Sequence, residues 1–199
     1  MPKQVDHRER RESIARALWT IVEQQGWVRA TMREVAREAG VSLGQVQHYF
    51  SSRAEMLTFA IEFAAEQTSR RVAQGVAALD QPPHPREVLR VVLIEFLPLR
   101  PDARATSRMN AAYVLEALHD PALRQQVADG LREGRAGVER LILAAINDGQ
   151  IAPNRDPAIE ADQILALTGF APLLGLGVLA PQAALAAIDQ HLDRLFSDT

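Results

Sequence analysis

Apolar residues in this chain recur at intervals of three and four, and no segment alternates apolar with polar residues over a useful length. That pattern predicts helices throughout and no sheet. Ile14, Ala17, Leu18, Ile21 and Val22 form one stripe, which predicts a first helix over residues 8–25, ended by Gly26, with Trp27 closing a small core. Met32, Val35, Ala36 and Ala39 predict a short second helix. Gly40 ends it and reverses the chain, and Ser42 caps a third short helix that carries Leu43, Val46 and Phe50 inward. Ser52 and Glu55 stand in a Ser-x-x-Glu box that starts a fourth helix.

The fourth helix is predicted to run without a break to about residue 79, a rigid rod from the small N-terminal unit into the rest of the chain. Pro82, Pro83 and Pro85 break the pattern. A helix over residues 86–97 is apolar on nearly every side, so it is expected to be surrounded. Further helices are predicted over residues 103–119, from Asp120-Pro121 to Gly149, and from Asp156-Pro157 onward, the last two opened by an N-cap followed by proline. Residues 164–180 are mostly apolar but contain Gly169, Pro172, Gly175 and Gly177. They read as a packing surface rather than a membrane span. A final helix follows Pro181. The fold class is therefore all-α, with nine or ten helices.

Composition changes this picture in three ways. The 199 residues are 47% hydrophobic, enough for a sizeable core, and include no cysteine. The N-terminus has no apolar signal segment, so a cytoplasmic location is expected. Residues 1–53 carry nine Lys/Arg against six Asp/Glu, a net of +3, which against −3 for the whole chain leaves −6 on residues 54–199. A basic head on an acidic body confines attraction for phosphate to one end. Lys3, Arg8, Arg10 and Arg11, beside the paired short helices, are expected together to meet phosphates.

Enzyme chemistry has no visible seat. The five histidines never fall three or four apart, and no Gly-x-Ser-x-Gly elbow occurs. Gly175-Leu176-Gly177-Val178-Leu179-Ala180 matches a loose dinucleotide fingerprint, but no strand precedes it. No metal or cofactor is expected.

The pattern of residues 30–53 is specific. Thr31-Met32-Arg33-Glu34-Val35-Ala36, Ala39-Gly40-Val41-Ser42, Gly44, Tyr49-Phe50 and Ser52-Arg53-Ala54-Glu55 with Leu57 resemble the helix-turn-helix domain of the tetracycline-repressor (TetR) family. Arg53 stands where that family usually has Lys, and Gln47 where many members carry Tyr. The resemblance implies a helix-turn-helix domain over residues 1–52 and an effector-binding and dimerisation domain over 53–199. The body, especially residues 97–179, is more loosely similar to the choline-responsive BetI subgroup.

The resemblance also implies partners: a double-stranded, palindromic DNA operator, a second copy of the chain, and a small-molecule effector that releases a repressor. Arg33, Leu43, Gly44, Gln45, Gln47 and His48 would face the major groove. Arg suits guanine, Gln suits adenine, and Leu can meet a thymine methyl. Thr31, Ser42, Tyr49 and Arg53 would hold phosphates. The dimer interface is expected through Ile164, Leu167, Ala171, Leu174, Ala184, Ile188, His191 and Leu195, with about half of them interfacial. Met109, Asn110, Tyr113 and Glu116, walled by Phe63, Phe96 and Phe170, are the candidates for the effector pocket. Choline itself fits poorly, because a quaternary ammonium favours several aromatic faces and the body has few.

Overall fold

A computed structural model describes residues 2–197. Its elements are ten α-helices in the order α1 (Pro2–Gln25), α2 (Met32–Glu38), α3 (Leu43–Tyr49), α4 (Arg53–Ala77), α5 (Pro85–Glu95), α6 (Pro101–Ala117), α7 (Pro121–Asn147), α8 (Pro157–Ala166), α9 (Phe170–Gly175) and α10 (Pro181–Ser197). Short 3-10 turns sit at Trp27–Arg29 and Leu167–Gly169, and the described residues contain no strand. No helix among them is long and apolar enough to cross a membrane.

Two apolar clusters organise these helices. The first joins Ile14, Leu18 and Ile21 of α1 to Val35 of α2, Val46 of α3 and Phe50, and Trp27 packs against it as expected. It does not stop at the 52/53 boundary. Met56, Leu57, Ala60 and Phe63 of α4 and Met109 of α6 belong to the same cluster, so the head is built on the first half of α4. Trp19 Nε1 donates to the Ala60 carbonyl at 3.2 Å and its ring stacks on Phe63 at 5.0 Å, which fastens α1 along α4. The second cluster joins Leu89 and Leu93 of α5, Val138 and Ile142 of α7, Ile164 of α8, and Ile188, Leu192 and Leu195 of α10.

Three expectations from the pattern require correction. The first helix begins at Pro2 rather than at residue 8, more than three turns before the apolar stripe opens at Ile14, and Arg8 on this polar stretch is held by Glu12 and Glu66. The helix over residues 86–97 is not surrounded. Leu89 and Leu93 are buried, but one flank of α5 is half open and Phe96 is 43% exposed, since α4, α7 and α10 cover only part of its circumference. The apolar stretch 164–180 is not one buried surface either. It breaks into α8, a 3-10 turn and α9, and Leu176 and Val178 lie 77% and 73% exposed around Gly177, whose φ is +70°.

Charge pairs lock α10 against α5. Arg90 donates to Asp189 Oδ1 at 2.5 Å and Oδ2 at 3.2 Å, and Arg86 donates to Asp193 at 2.6 Å. The Arg90 hydrogen bond, helped by the positive charges of Arg90 and Arg86, holds the Asp189 carboxyl below its ordinary range. A depressed carboxylate stabilises the fold above its unfolded pKa of about 3.9 and loses that contribution as pH falls through the lower folded value. Asp189→Asn is therefore expected to melt below the wild type at pH 6, with the gap narrowing as pH falls below about 4. Thermal melts of both proteins across that range are the check.

Candidate DNA-reading face

Thr31 Oγ1 accepts from Glu34 N at 3.2 Å and caps α2. Gly40 then takes φ +66°, a left-handed conformation that costs glycine little, and Val41 N returns to the Ala36 carbonyl at 3.0 Å. A reciprocal capping box opens α3: Ser42 Oγ accepts from Gln45 N and Gln45 Oε1 accepts from Ser42 N, both at 3.1 Å. Seven residues are too few for a helix to hold itself, so α3 depends on these caps and on its buried Val46 and Phe50. With Leu43 half-buried and Val46 and Phe50 inward, Gly44, Gln47 and His48 lie exposed.

The ten residues assigned to this face divide by what they already hold. Arg33, in the first turn of α2, is exposed and has no ion pair among the described residues. Gln47 and His48 are exposed, and Gly44 would tolerate a Cβ within the protomer, the nearest atom being Ser42 Oγ at 3.9 Å. Gln45 differs from the expectation of a free reader, because its carbonyl oxygen is used in the cap and its amide nitrogen alone remains to donate. Tyr49 is half-buried between the His48 and His7 rings, at 5.2 and 4.8 Å. Thr31 and Ser42 are exposed caps.

Arg53 has a structural duty that the pattern did not reveal. Its Nε donates to the buried Ala30 carbonyl at 2.9 Å and its Nη2 to the Trp27 carbonyl at 3.4 Å, with the guanidinium 5.8 Å from the Trp27 ring. Nη1 has no partner among the described residues. Arg53→Ala is expected to lower stability by about 1–2 kcal/mol, because two carbonyls lose a charged donor. It is also expected to reduce the salt slope of DNA binding by about 0.9, through loss of one phosphate contact. Thermal melting beside a salt series of binding separates the two effects.

Arg8 and Arg11 are less available to phosphate than expected. Arg8 is paired with Glu12 at 3.0 Å and Glu66 at 2.7 Å, and Arg11 with Glu55 at 3.1 Å. Glu55 does not complete its expected box with Ser52. Its nitrogen donates to Ser52 Oγ, but its carboxylate turns back to Ser51, accepting from both N and Oγ at 2.8 Å. Those bonds, with the Arg11 charge, hold the Glu55 carboxyl below its ordinary range.

This capped pair of short helices on a longer support has close counterparts. Residues 14–58 match the family described as bacterial regulatory proteins, tetR family, and residues 85–197 match the C-terminal domain of BetI-type transcriptional repressors. The chain belongs to the TetR family. It is a DNA-binding transcriptional regulator, not an enzyme. Over 167 residues it is 32% identical to the HTH-type transcriptional regulator PksA of Bacillus subtilis, covering 84% of this chain and 78% of that protein. A transcriptional regulator from Rhodococcus sp. Rha1 superposes with a TM-score of 0.78 at 26% identity, over 94% of this chain and 96% of that one. A regulator from Saccharomonospora viridis, solved in complex with choline, shares the fold with a TM-score of 0.76 at 19% identity, over 96% and 97% of the two chains.

In the body of this TetR-family chain, the seven residues named for an effector pocket do not line one cavity. Phe63 and Met109 are core residues of the first cluster, whereas Phe170 packs against the second. Asn110 and Glu116 are exposed, because the face of α6 turned inward is the one bearing Met109, Tyr113 and Ala117. Tyr113 is buried. Its hydroxyl faces Thr58 without completing a hydrogen bond, and burial raises its pKa. Of the seven, only Phe96 borders the groove of about 740 Å³ between α4 and α5, where it is joined by Val72, Val76 and Val92 with Thr68 and Gln81. No sequence signal separates a core valine from one lining a groove.

Of the eight residues named for the dimer interface, about half of them expected to be interfacial, four face the protomer's own core. Ile164, Ala184, Ile188 and Leu195 are no more than 2% exposed, because these faces of α8 and α10 pack into the protomer's own second cluster. Leu167, Ala171, Leu174 and His191 remain half-buried. Burial lowers the His191 pKa.

Proposed function

We propose that the protein is a homodimeric, ligand-responsive repressor that reads one half of a palindromic operator with each protomer. The observation that carries this reading is the unbroken α4, whose first turns belong to the core of the DNA-reading head and whose last turns line the apolar groove of the body. A molecule that fills the groove acts on the same helix that carries the head. It can shift the DNA-binding equilibrium only by its differential affinity for the two arrangements.

Arg33, Gln47 and His48 read base edges in this proposal, Leu43 and Gly44 approach the groove floor, and Gln45 contributes its amide nitrogen. Thr31, Ser42, Tyr49 and the outer edge of Arg53 meet phosphates. The second copy docks on the outward faces of α8 and α10, where Gln163, Ala166, Ala183, Ala186 and Gln190 are exposed beside half-buried Leu167. Dimerisation supports the reading physically, because one helix-turn-helix spans only a half-site and two linked heads gain affinity together.

The groove also narrows the effector. Its lining is aliphatic apart from Phe96, with hydrogen-bonding groups at Thr68, Ser69 and Gln81, so it suits an apolar molecule with a neutral polar end. A quaternary ammonium wants an aromatic cage. Choline at millimolar concentration is therefore expected to leave both the melting temperature and DNA binding unchanged.

The direct test is selection of genomic fragments by the purified protein, followed by binding of the recovered site across a salt series. A short palindrome bound by two protomers with a steep negative salt slope supports the reading. Recovery of an asymmetric site bound by one protomer overturns it.

A further inference from the structure

Among the described residues, Arg11 is the one cation of the head that lies between two aromatic rings. Its guanidinium carbon sits 4.6 Å from the centroid of Phe50 and 4.4 Å from that of Phe59, in the notch between two rings tilted by 53° and 5.6 Å apart. Nη2 reaches Glu55 Oε1 at 3.1 Å, while Nε is buried in the notch with no hydrogen-bond acceptor. The groups it touches lie at the exit of α3 and on the first two turns of α4. Phe50 is the C-cap residue, leaving the helix at φ −138° and ψ 117°. Glu55 holds the next residue, Ser51, by backbone and side chain, and Phe59 lies one turn further along α4.

We propose that Arg11 is a positioning residue for DNA reading. It fixes the angle between α3 and α4 by clamping Phe50 directly and the Ser51 turn through Glu55, and it does not itself touch DNA. A seven-residue helix cannot set its own direction. Its N-terminal end is fixed by the Ser42–Gln45 box, and the Arg11 clamp fixes the other end. The stem and head of Arg11 are suited to this: a planar cation stacks on rings and pairs with a carboxylate at once, which an ammonium does less well.

The test compares Arg11→Met, Arg11→Lys and Glu55→Gln with the wild type, using a fragment enriched by the wild-type protein and a fragment of unrelated sequence. Glu55→Gln keeps an acceptor for Ser51 but ends the ion pair with Arg11, so it remains informative if Arg11→Met folds poorly. Arg11→Met is expected to weaken the enriched fragment roughly tenfold and Glu55→Gln roughly threefold, with the unrelated fragment and the salt slope unchanged. Arg11→Lys is expected to recover only part of the loss. Hydrogen exchange of the DNA-free protein supplies a second readout. The Phe50 amide, bonded to the Val46 carbonyl, and the Ser51 amide should exchange faster in Arg11→Met while those of Val35 and Ala36 do not.

A salt slope reduced by about one would make Arg11 a phosphate contact and overturn the proposal. So would full recovery by lysine, or equal loss on both fragments in step with the folded fraction. Because the exchange measurement needs no DNA, it stands even where no fragment is enriched. Unchanged protection at Phe50 and Ser51 overturns the clamp on its own.

Discussion

Arg33→Ala is expected to weaken binding to the protein's operator by about 1–3 kcal/mol, roughly 5- to 150-fold, and to relax the base preference at one position of each half-site. The expectation rests on what Arg33 does not hold. It is exposed in the first turn of α2, without an ion pair among the described residues, so its removal leaves no buried partner stranded and the melting temperature should move little. Gln47→Ala should act in the same way on a neighbouring position. Gln45→Ala should differ in kind, because it also removes half of the Ser42 capping box and with it about 1 kcal/mol of helix stability. Competition binding against single-base variants of the operator, beside thermal melts, distinguishes the three. Loss by Arg33→Ala of equal size at every variant would remove it from the base-reading set.

Gly75→Ala is expected to destabilise the body by about 1–3 kcal/mol, although helix propensity alone predicts the opposite. Glycine inside a helix costs about 0.5–1 kcal/mol relative to alanine, so an unconstrained site would gain. At Gly75 an added Cβ would lie 2.7 Å from Val91 Cγ1 of α5, and a β-branched side chain has little freedom to turn aside. The two helices are in contact at this point, beside the groove walled by Val72, Val76 and Val92. A fall in melting temperature of roughly 3–10 °C is expected for a chain of this size. Val91→Ala in the Gly75→Ala background should restore most of it, because removing the two methyl groups reopens the crossing. A rise in melting temperature on the single substitution would mean that α4 and α5 do not approach this closely.

The head was legible in the sequence because each of its signals is local. Thr31, Gly40, Ser42 and Ser52 mark helix ends within a few residues of the groups they cap, and the observed α2 and α3 begin one residue after Thr31 and Ser42. The start of α1 at Pro2 was not legible. Its polar residues carry no stripe, and the contact between Arg8 and Glu66 spans 58 positions. The same limit explains Arg53, read as free for phosphate while it serves carbonyls of residues 23 and 26 positions earlier.

In the body, helix existence was readable and orientation was not. The apolar faces of α8 and α10 are wide enough to serve either a protomer core or an interface. Only packing shows that Ile164, Ala184, Ile188 and Leu195 serve the core. The effector candidates failed for a related reason. Met109 and Tyr113 do turn inward, but α6 delivers Met109 to the core beneath the head and the Tyr113 hydroxyl toward Thr58, and neither lines the groove between α4 and α5. Buried Glu95, joined to Arg71 at 2.8 Å and Arg100 at 2.6 Å, drew no notice in the sequence at all, since an isolated glutamate on an apolar helix gives no sign of its partners.

The 25 residues of α4 also set a mechanical gain. A helix of that length spans about 37 Å, so a tilt of only about 5° at its body end sweeps the head end through roughly 3 Å. In a two-fold pair the displacements add, to roughly 6 Å. That is about half the width of a major groove, which is about 12 Å across. In the proposed dimer, packing changes around the crossing of Gly75 and Val91 too small to disturb the core would therefore still carry both heads out of register with a duplex whose half-sites repeat at about 34 Å.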